Sequence, residues 1–290
     1  MSWRTVSVSG RAKLDLRLDY LVIRRQDETL KIHISEISVL IVESTSVSLT
    51  AALLSELMRS KVKVIFCDEQ HNPQSELLAY HGSHDSSLKI RNQVKWREEI
   101  KGQIWTRIIQ EKITQQMLLL REENLHLQAD KLAGYLEQLE YRDESNREGM
   151  ASKVYFNALF GMDFSRREES VQNAALNYGY KVLLAIVNRE IAANGYLTQL
   201  GLFHDNMFNS FNLGSDLMEP FRPLVDRKVC ELDPKKFEKE ERAYILGLLS
   251  EQVSIAGTEQ YLTNAIKIYC KSVFNALEAE DVGLLRFYRK

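Results

Sequence analysis

Cysteine is scarce in this chain and widely scattered: Cys67, Cys230 and Cys270 form no CxxC pair. Three separated thiols argue against a disulfide framework and against a cysteine-based zinc site, so they are read as reduced, packed side chains. No run approaches the roughly 20 apolar residues a membrane span requires, and MSWRTVSVSGR lacks the apolar centre of a signal peptide. A cytoplasmic protein with no membrane partner is expected. Excess charge is missing too: a formal net charge of −2 supplies no global attraction for a polyanion, so a nucleic-acid surface has to be local. The patterns GxGxxG, GxxxxGK[ST] and GxSxG do not occur, which sets aside dinucleotide, P-loop and α/β-hydrolase chemistry. There is no internal repeat.

What is present is an ordinary globular composition, long enough at 290 residues for one large or two medium domains. The first 70 or so residues read as short strands rich in Val and Ile: TVSVS, AKLDLRL, YLVIRR, TLKIHI, SVLIVES and VKVIFC. One helix interrupts them, with Ser48 capping SLTAALLSELMRSK and Leu49, Ala52, Leu53 and Leu57 on one face. A polar stretch with Asn72-Pro73 and HGSHDSS reads as a linker. Helical periodicity then runs over about 88 to 140, 148 to 160 and 168 to 194 and on to the end, with Gly161, Gly195 and Gly201 as breaks. Strands followed by helices predict an α+β chain of two segregated domains. The expected division is a β-rich domain with one helix (1–70), a linker (71–87) and an all-α catalytic domain (88–290).

Chemistry concentrates in a few places. In FHDNMFNSFNLGSDLMEPFRPLVD, Pro220 is tolerated only in the first turn of a helix, which would set Asp216 and Glu219 near the positive end of its dipole. The spacing Asp216-x-x-Glu219 equally resembles a capping box and needs no function. His204 alone reads as an ordinary core or surface histidine; with two or three carboxylates it would suit a hard or borderline divalent ion that handles phosphate esters. In SNREGMASKVYFNALFG, Glu148 shares a helical face with Ala151, Tyr155 and Leu159, where a carboxylate must be paired or metal-bound if it is buried, or simply favoured in the first turn. His81 and His84 in HGSHD are read as a polar loop in preference to a second metal site. In SSLKIRNQVKWREEIK, Lys89, Arg91, Lys95, Arg97 and Lys101 surround Trp96, either as a local basic surface or as a solvated helix face.

The blocks SNREGMASKVYFNALFG, NAALNYGYKVLLA and GLFHDNMFNSFNLGSDLMEPFRPLVD, in that order and spacing, closely resemble the CRISPR-associated adaptation integrase, the first of the Cas proteins. DSSLKIRNQVKW and the N-terminal WRTVSVSG with VKVIFCD are similar to its type II-A branch. The resemblance covers essentially the whole chain. It implies a subunit that forms homodimers through its N-terminal domain, two dimers flanking a dimer of a small ferredoxin-like adaptation partner. It also implies capture of short double-stranded DNA fragments, whose 3′-hydroxyls are joined to the leader end of a CRISPR array by transesterification, the same site acting as an endonuclease. The effector nuclease and a ring-forming DNA-binding accessory protein extend the expected partners. Carried over by position, the metal ligands and catalytic residues are Glu148, His204 and Glu219, holding Mg²⁺ or Mn²⁺, with Asp216 beside them. Many members of the family have an aspartate where this chain has Glu219, a longer side chain with the same donor oxygens. Lys89, Arg91, Lys95, Arg97, Arg222, Arg227 and Lys228 are candidate DNA contacts; for Arg222 a salt bridge to a ligand carboxylate competes with that role. The alternatives are a structure-specific nuclease that uses only water, and a non-catalytic DNA-binding scaffold.

Overall fold

The alternating N-terminal segments form strands in the structure, a computed structural model that describes residues 4–78 and 83–290, so Trp3 and His81 lie outside it. In order come β1 (Arg4–Val8), β2 (Ala12–Arg17), β3 (Tyr20–Arg24), β4 (Thr29–His33), β5 (Ile37–Val42), β6 (Val47–Leu49), α1 (Ala51–Arg59), β7 (Lys63–Cys67) and β8 (Pro73–Leu77). They build two four-stranded sheets, ordered β1-β5-β7-β8 and β4-β3-β2-β6. Parallel pairing sets Leu40 beside both Val6 and Val64 at the centre of the first sheet. Leu53 and Leu57 of α1 enter the core between the sheets together with Leu14, Leu21 and Ile23.

The helical part comprises α2 (Ser86–Gln93), α3 (Glu98–Glu122), α4 (His126–Glu137), α5 (Arg147–Phe160), α6 (Val171–Ala193), α7 (Asn212–Met218), α8 (Arg222–Leu232), α9 (Lys239–Leu246) and α10 (Leu262–Ala279). Between the last two lie β9 (Gln252–Ile255) and β10 (Thr258–Tyr261), and β11 (Tyr288–Arg289) completes a small antiparallel sheet in the order β10-β9-β11. The chain is therefore α+β, with an N-terminal β domain and a C-terminal helical region. The two parts share a wall. Successive residues of β5 and β7 point to opposite faces, so Leu40, Val42 and Val64 pack into the β core while Val39, Ile41, Ile65 and Cys67 pack into the helical core.

Four details differ from the sequence reading. Thr50, not Ser48, caps α1, its Oγ1 accepting from Leu53 N at 3.3 Å, while Ser48 belongs to β6. The polar stretch after β7 holds β8, an edge strand paired antiparallel with β7. The periodic span from 88 to 140 is three helices, and Asn124 takes a positive φ of 61° between the second and third. The small sheet β9–β11 was not anticipated. Among the described residues no helix is long and apolar enough to cross a membrane.

Candidate active site

Four distant segments meet against α3. Lys112 projects from it, at a register that Ile108 and Ile104 occupy one and two turns earlier. Glu148 lies in the first turn of α5, where Asp143 caps the helix by accepting from Arg147 N at 2.6 Å and Glu148 N at 3.0 Å. Glu219 opens the tight turn Glu219–Phe221 that joins α7 to α8. Pro220 fits this turn because its missing N–H is not needed there, its carbonyl accepts from Tyr288 Oη at 3.1 Å, and Phe221 stacks on the Tyr288 ring.

The two glutamates converge on one cation. Lys112 Nζ lies 2.5 Å from Glu148 Oε1 and 2.5 Å from Glu219 Oε2. Burial works against the ammonium, yet the charges of Glu219 and Glu148 outweigh it and raise the Lys112 pKa. Burial likewise opposes ionisation of Glu148, but Lys112, together with a hydrogen bond from Ser152, holds its carboxyl below the ordinary range.

His204 stands on the loop between α6 and α7. Asp216, fully buried within α7, accepts from the backbone N–H groups of Leu202, Phe203 and His204 at 2.6, 3.1 and 3.2 Å, and from His204 Nδ1 at 2.5 Å. Asp216 is thus not the cap of the following helix that its spacing suggested; it anchors the histidine loop. Gly201 makes this possible, since a Cβ there would run into the His204 carbonyl and Asp216 Oδ2. A carboxylate partner makes Nδ1 the donor and leaves Nε2 directed elsewhere. The hydrogen bond to Asp216 raises the His204 pKa against the effect of partial burial. Phe203 stacks on Trp105 at 4.6 Å between ring centroids, and His204 meets the same indole edge-on at 5.7 Å.

Arg222 borders the cluster, its Nε 3.0 Å from Glu219 Oε1 and its guanidinium 4.8 Å above the Tyr180 ring, which Arg166 also covers at 5.3 Å. Beyond it opens a cavity of about 660 Å³ lined by Arg166, Arg167, Lys181 and Arg222 among others. Tyr180 and Tyr155 both donate to Asp226, the second at 2.9 Å.

The other basic candidates separate. Arg227 is buried against Glu122 at 2.6 Å, and Lys228 pairs with Glu251 at 2.5 Å, so both are engaged in ion pairs within the chain. Arg97 bridges Glu99 and Glu280, and Lys89 pairs with Asp85. Arg91 and Lys95 are exposed, and no carboxylate partner for either is found among the described residues.

Glu148, Glu219, His204 and Asp216 are thus gathered in one region, but among the described residues no group of three His, Cys, Asp or Glu side chains is already arranged to hold a metal ion. The donor set nonetheless fits a divalent cation in kind. Two hard carboxylate oxygens already focus on one positive charge, and His204 keeps Nε2 clear of any described partner. Sequence reasoning missed Lys112, although a lysine at a core register of a long apolar helix was the signal. It also missed Asp226 and its two tyrosines.

Comparisons with known proteins bear on the family and the fold. The family profile described as "CRISPR associated protein Cas1" matches residues 6–255. The chain is 35% identical over 260 residues to the "CRISPR-associated endonuclease Cas1" of Neisseria meningitidis serogroup C, covering 88% of this chain and 86% of that protein. In fold it is similar to a casposase bound to integration product, with a TM-score of 0.77 at 19% identity over 97% of this chain and 92% of the other. It is also similar to a chain of a Cas6-RT-Cas1–Cas2 complex, with a TM-score of 0.75 at 17% identity, covering 97% of this chain but 36% of that one.

Proposed function

Because the chain belongs to the Cas1 family of CRISPR-associated proteins, we propose that it is a DNA endonuclease and integrase of CRISPR adaptation that joins 3′-hydroxyl ends of short DNA fragments to the array. The observation that carries this reading is the convergence of Glu148 and Glu219 on one cation, with His204 fixed by Asp216 at their side.

Glu148, Glu219 and His204 would hold Mg²⁺ or Mn²⁺. Once bound, such an ion would polarise the scissile phosphate and favour the deprotonated attacking hydroxyl. The chain's own groups supply the rest. Asp216 fixes the tautomer and orientation of His204, which leaves Nε2 as the ring atom that would serve as ligand. Arg222 lines the adjoining cavity with Arg166, Arg167 and Lys181, alongside Glu168 and Glu169, and its guanidinium can neutralise a phosphate and stabilise charge on its oxygens. With no separate general base assigned among the described residues, positioning of the two DNA ends would supply much of the rate. Arg91 and Lys95, exposed and turned to solvent, suit contacts to the DNA backbone further away. The similar chain in a Cas6-RT-Cas1–Cas2 complex supports a Cas2-type partner; two dimers of this chain flanking that partner are the arrangement we propose.

The test is a strand-transfer assay with labelled 3′-hydroxyl duplex and a supercoiled leader-repeat plasmid, in Mg²⁺, Mn²⁺ or EDTA, with and without the small partner. Wild type runs beside Glu148→Gln and His204→Ala. Metal-dependent joined product, lost in both variants, is expected. Cleavage without joining would replace the integrase reading with a hydrolytic nuclease, and binding without either reaction would reduce the cluster to a structural one.

A further inference from the structure

We propose that Lys112 determines how readily the site takes a divalent ion: its ammonium holds the cation position in the metal-free protein, and the metal enters as the lysine withdraws along α3. The idea rests on the metal reading above and concerns a residue which that reading leaves without a role.

Geometry sets up the exclusion. Nζ lies 2.5 Å from Glu148 Oε1 and 2.5 Å from Glu219 Oε2. A Mg²⁺ ion on the same oxygens would sit about 2.1 Å from them. Both cations claim one position, and two positive charges a few ångströms apart in a half-dry site repel strongly. The lysine is a real counter-charge and not a surface group that strays in: it is 7% exposed, Glu219 is 5% exposed, and without a cation between them the two carboxylates would face each other with only Arg222, at 3.0 Å from Glu219 Oε1, to offset their charge. The tethered ammonium keeps the carboxylates together before a metal arrives, and it lowers the metal affinity that those oxygens would otherwise give.

The fold also offers a place for the displaced ammonium. Gln116, one turn further along α3 and 1% exposed, has a buried Oε1 with no hydrogen-bond partner among the described residues. Residues four apart on a helix share one face, so Gln116 is the neighbour of Lys112 along α3. An orphaned buried acceptor beside a buried donor that must move is a docking point for it.

The experiment measures Mn²⁺ binding to the full-length chain, from the spectroscopic signal of free Mn²⁺, for wild type, Lys112→Met, Lys112→Gln, Gln116→Leu and Glu219→Gln. Both neutral Lys112 variants are expected to bind Mn²⁺ at least about tenfold more tightly than wild type, the scale of one lost close charge pair. Their thermal midpoints should fall in EDTA and recover with Mn²⁺ by more than wild type does. Gln116→Leu leaves the charged trio intact, so it folds as wild type does, and it should bind Mn²⁺ several-fold more weakly. Lys112 variants that bind no more tightly than wild type would overturn the proposal, and an unchanged Gln116→Leu would overturn the withdrawal route. Should Mn²⁺ bind Glu219→Gln as well as wild type, the metal reading itself fails and takes the proposal with it.

Discussion

Asp226 should make the stability of this protein fall as pH rises through the weakly acidic range. It is 1% exposed on α8 and accepts hydroxyl hydrogen bonds from Tyr155 of α5 and Tyr180 of α6. Burial is the largest influence on it and pushes its pKa from an ordinary 3.8 up to about 6, against the downward pull of the two hydroxyls. An acid with a folded-state pKa above its unfolded value binds its proton more tightly when folded. Its contribution to stability is therefore complete below about 3.8 and is lost as pH rises through about 6. A gap of about two pKa units corresponds to about 3 kcal/mol. The assay is chemical denaturation at several pH values from 4 to 8, wild type beside Asp226→Asn, which cannot titrate. Contributions from all other groups cancel in the difference, so wild-type stability minus variant stability should drop by about 3 kcal/mol across that range, mostly between pH 4 and 6.5. A flat difference would refute the reasoning, since it would mean that the tyrosine hydroxyls keep the buried carboxylate ionised throughout.

Three further outcomes are expected. Asp216→Asn should bring the raised His204 pKa back toward its ordinary value, seen as a lower midpoint for its ring protons in an NMR titration. The stability that wild type draws from this pair is present below the unfolded histidine pKa and fades as pH rises through the folded one, and the variant should lack it. Glu43→Ala or Arg242→Ala should each cost about 3–5 kcal/mol in urea denaturation, because the pair is buried where β5 meets α9 and either change leaves an uncompensated charge; replacing both with apolar residues should cost less than the sum. Gly179→Ala should destabilise by about 1–3 kcal/mol, since a Cβ on α6 would press into Val225 of α8 and Ile245 of α9.

The strands were legible wherever one face is wet. Lys13, Asp15 and Arg17 alternate with Ala12, Leu14 and Leu16, and this period of two is the strand signal itself. β5 read as a strand from its run of Val, Leu and Ile, but a run buried on both faces cannot say that each face belongs to a different core. β8 reads as part of a linker because its half-exposed edge position permits Pro-Gln-Ser-Glu, a composition no central strand would tolerate. The separation of α2, α3 and α4 was hidden because neither break contains glycine or proline; a positive φ at Asn124 makes the second. At the site, Glu148, His204 and Glu219 stood out through their resemblance to known motifs. Lys112 lies 36 residues from one partner, and its pairing arises only from the packing of α3 against α5. The same holds for Arg227 and Lys228, which the local sequence leaves available for phosphate and the fold pairs with Glu122 and Glu251. Local spacing reports faces and caps; it does not report which distant carboxylate comes to lie across a helix.

The wall formed by β5 and β7 bears on how such a chain can be recombined. Each strand offers alternate residues to two hydrophobic interiors, so a cut after the last N-terminal strand yields no self-sufficient half: one piece would carry a naked apolar sheet face, the other a bundle missing part of its lining. A chimaera with a homologue would have to import Val39, Ile41, Ile65 and Cys67 along with the helices they touch, or rebuild that lining from the new partner. Exposed loops are freer to take inserted modules, which leaves the shared wall as the inherited unit and the periphery as the place where lineages can diverge.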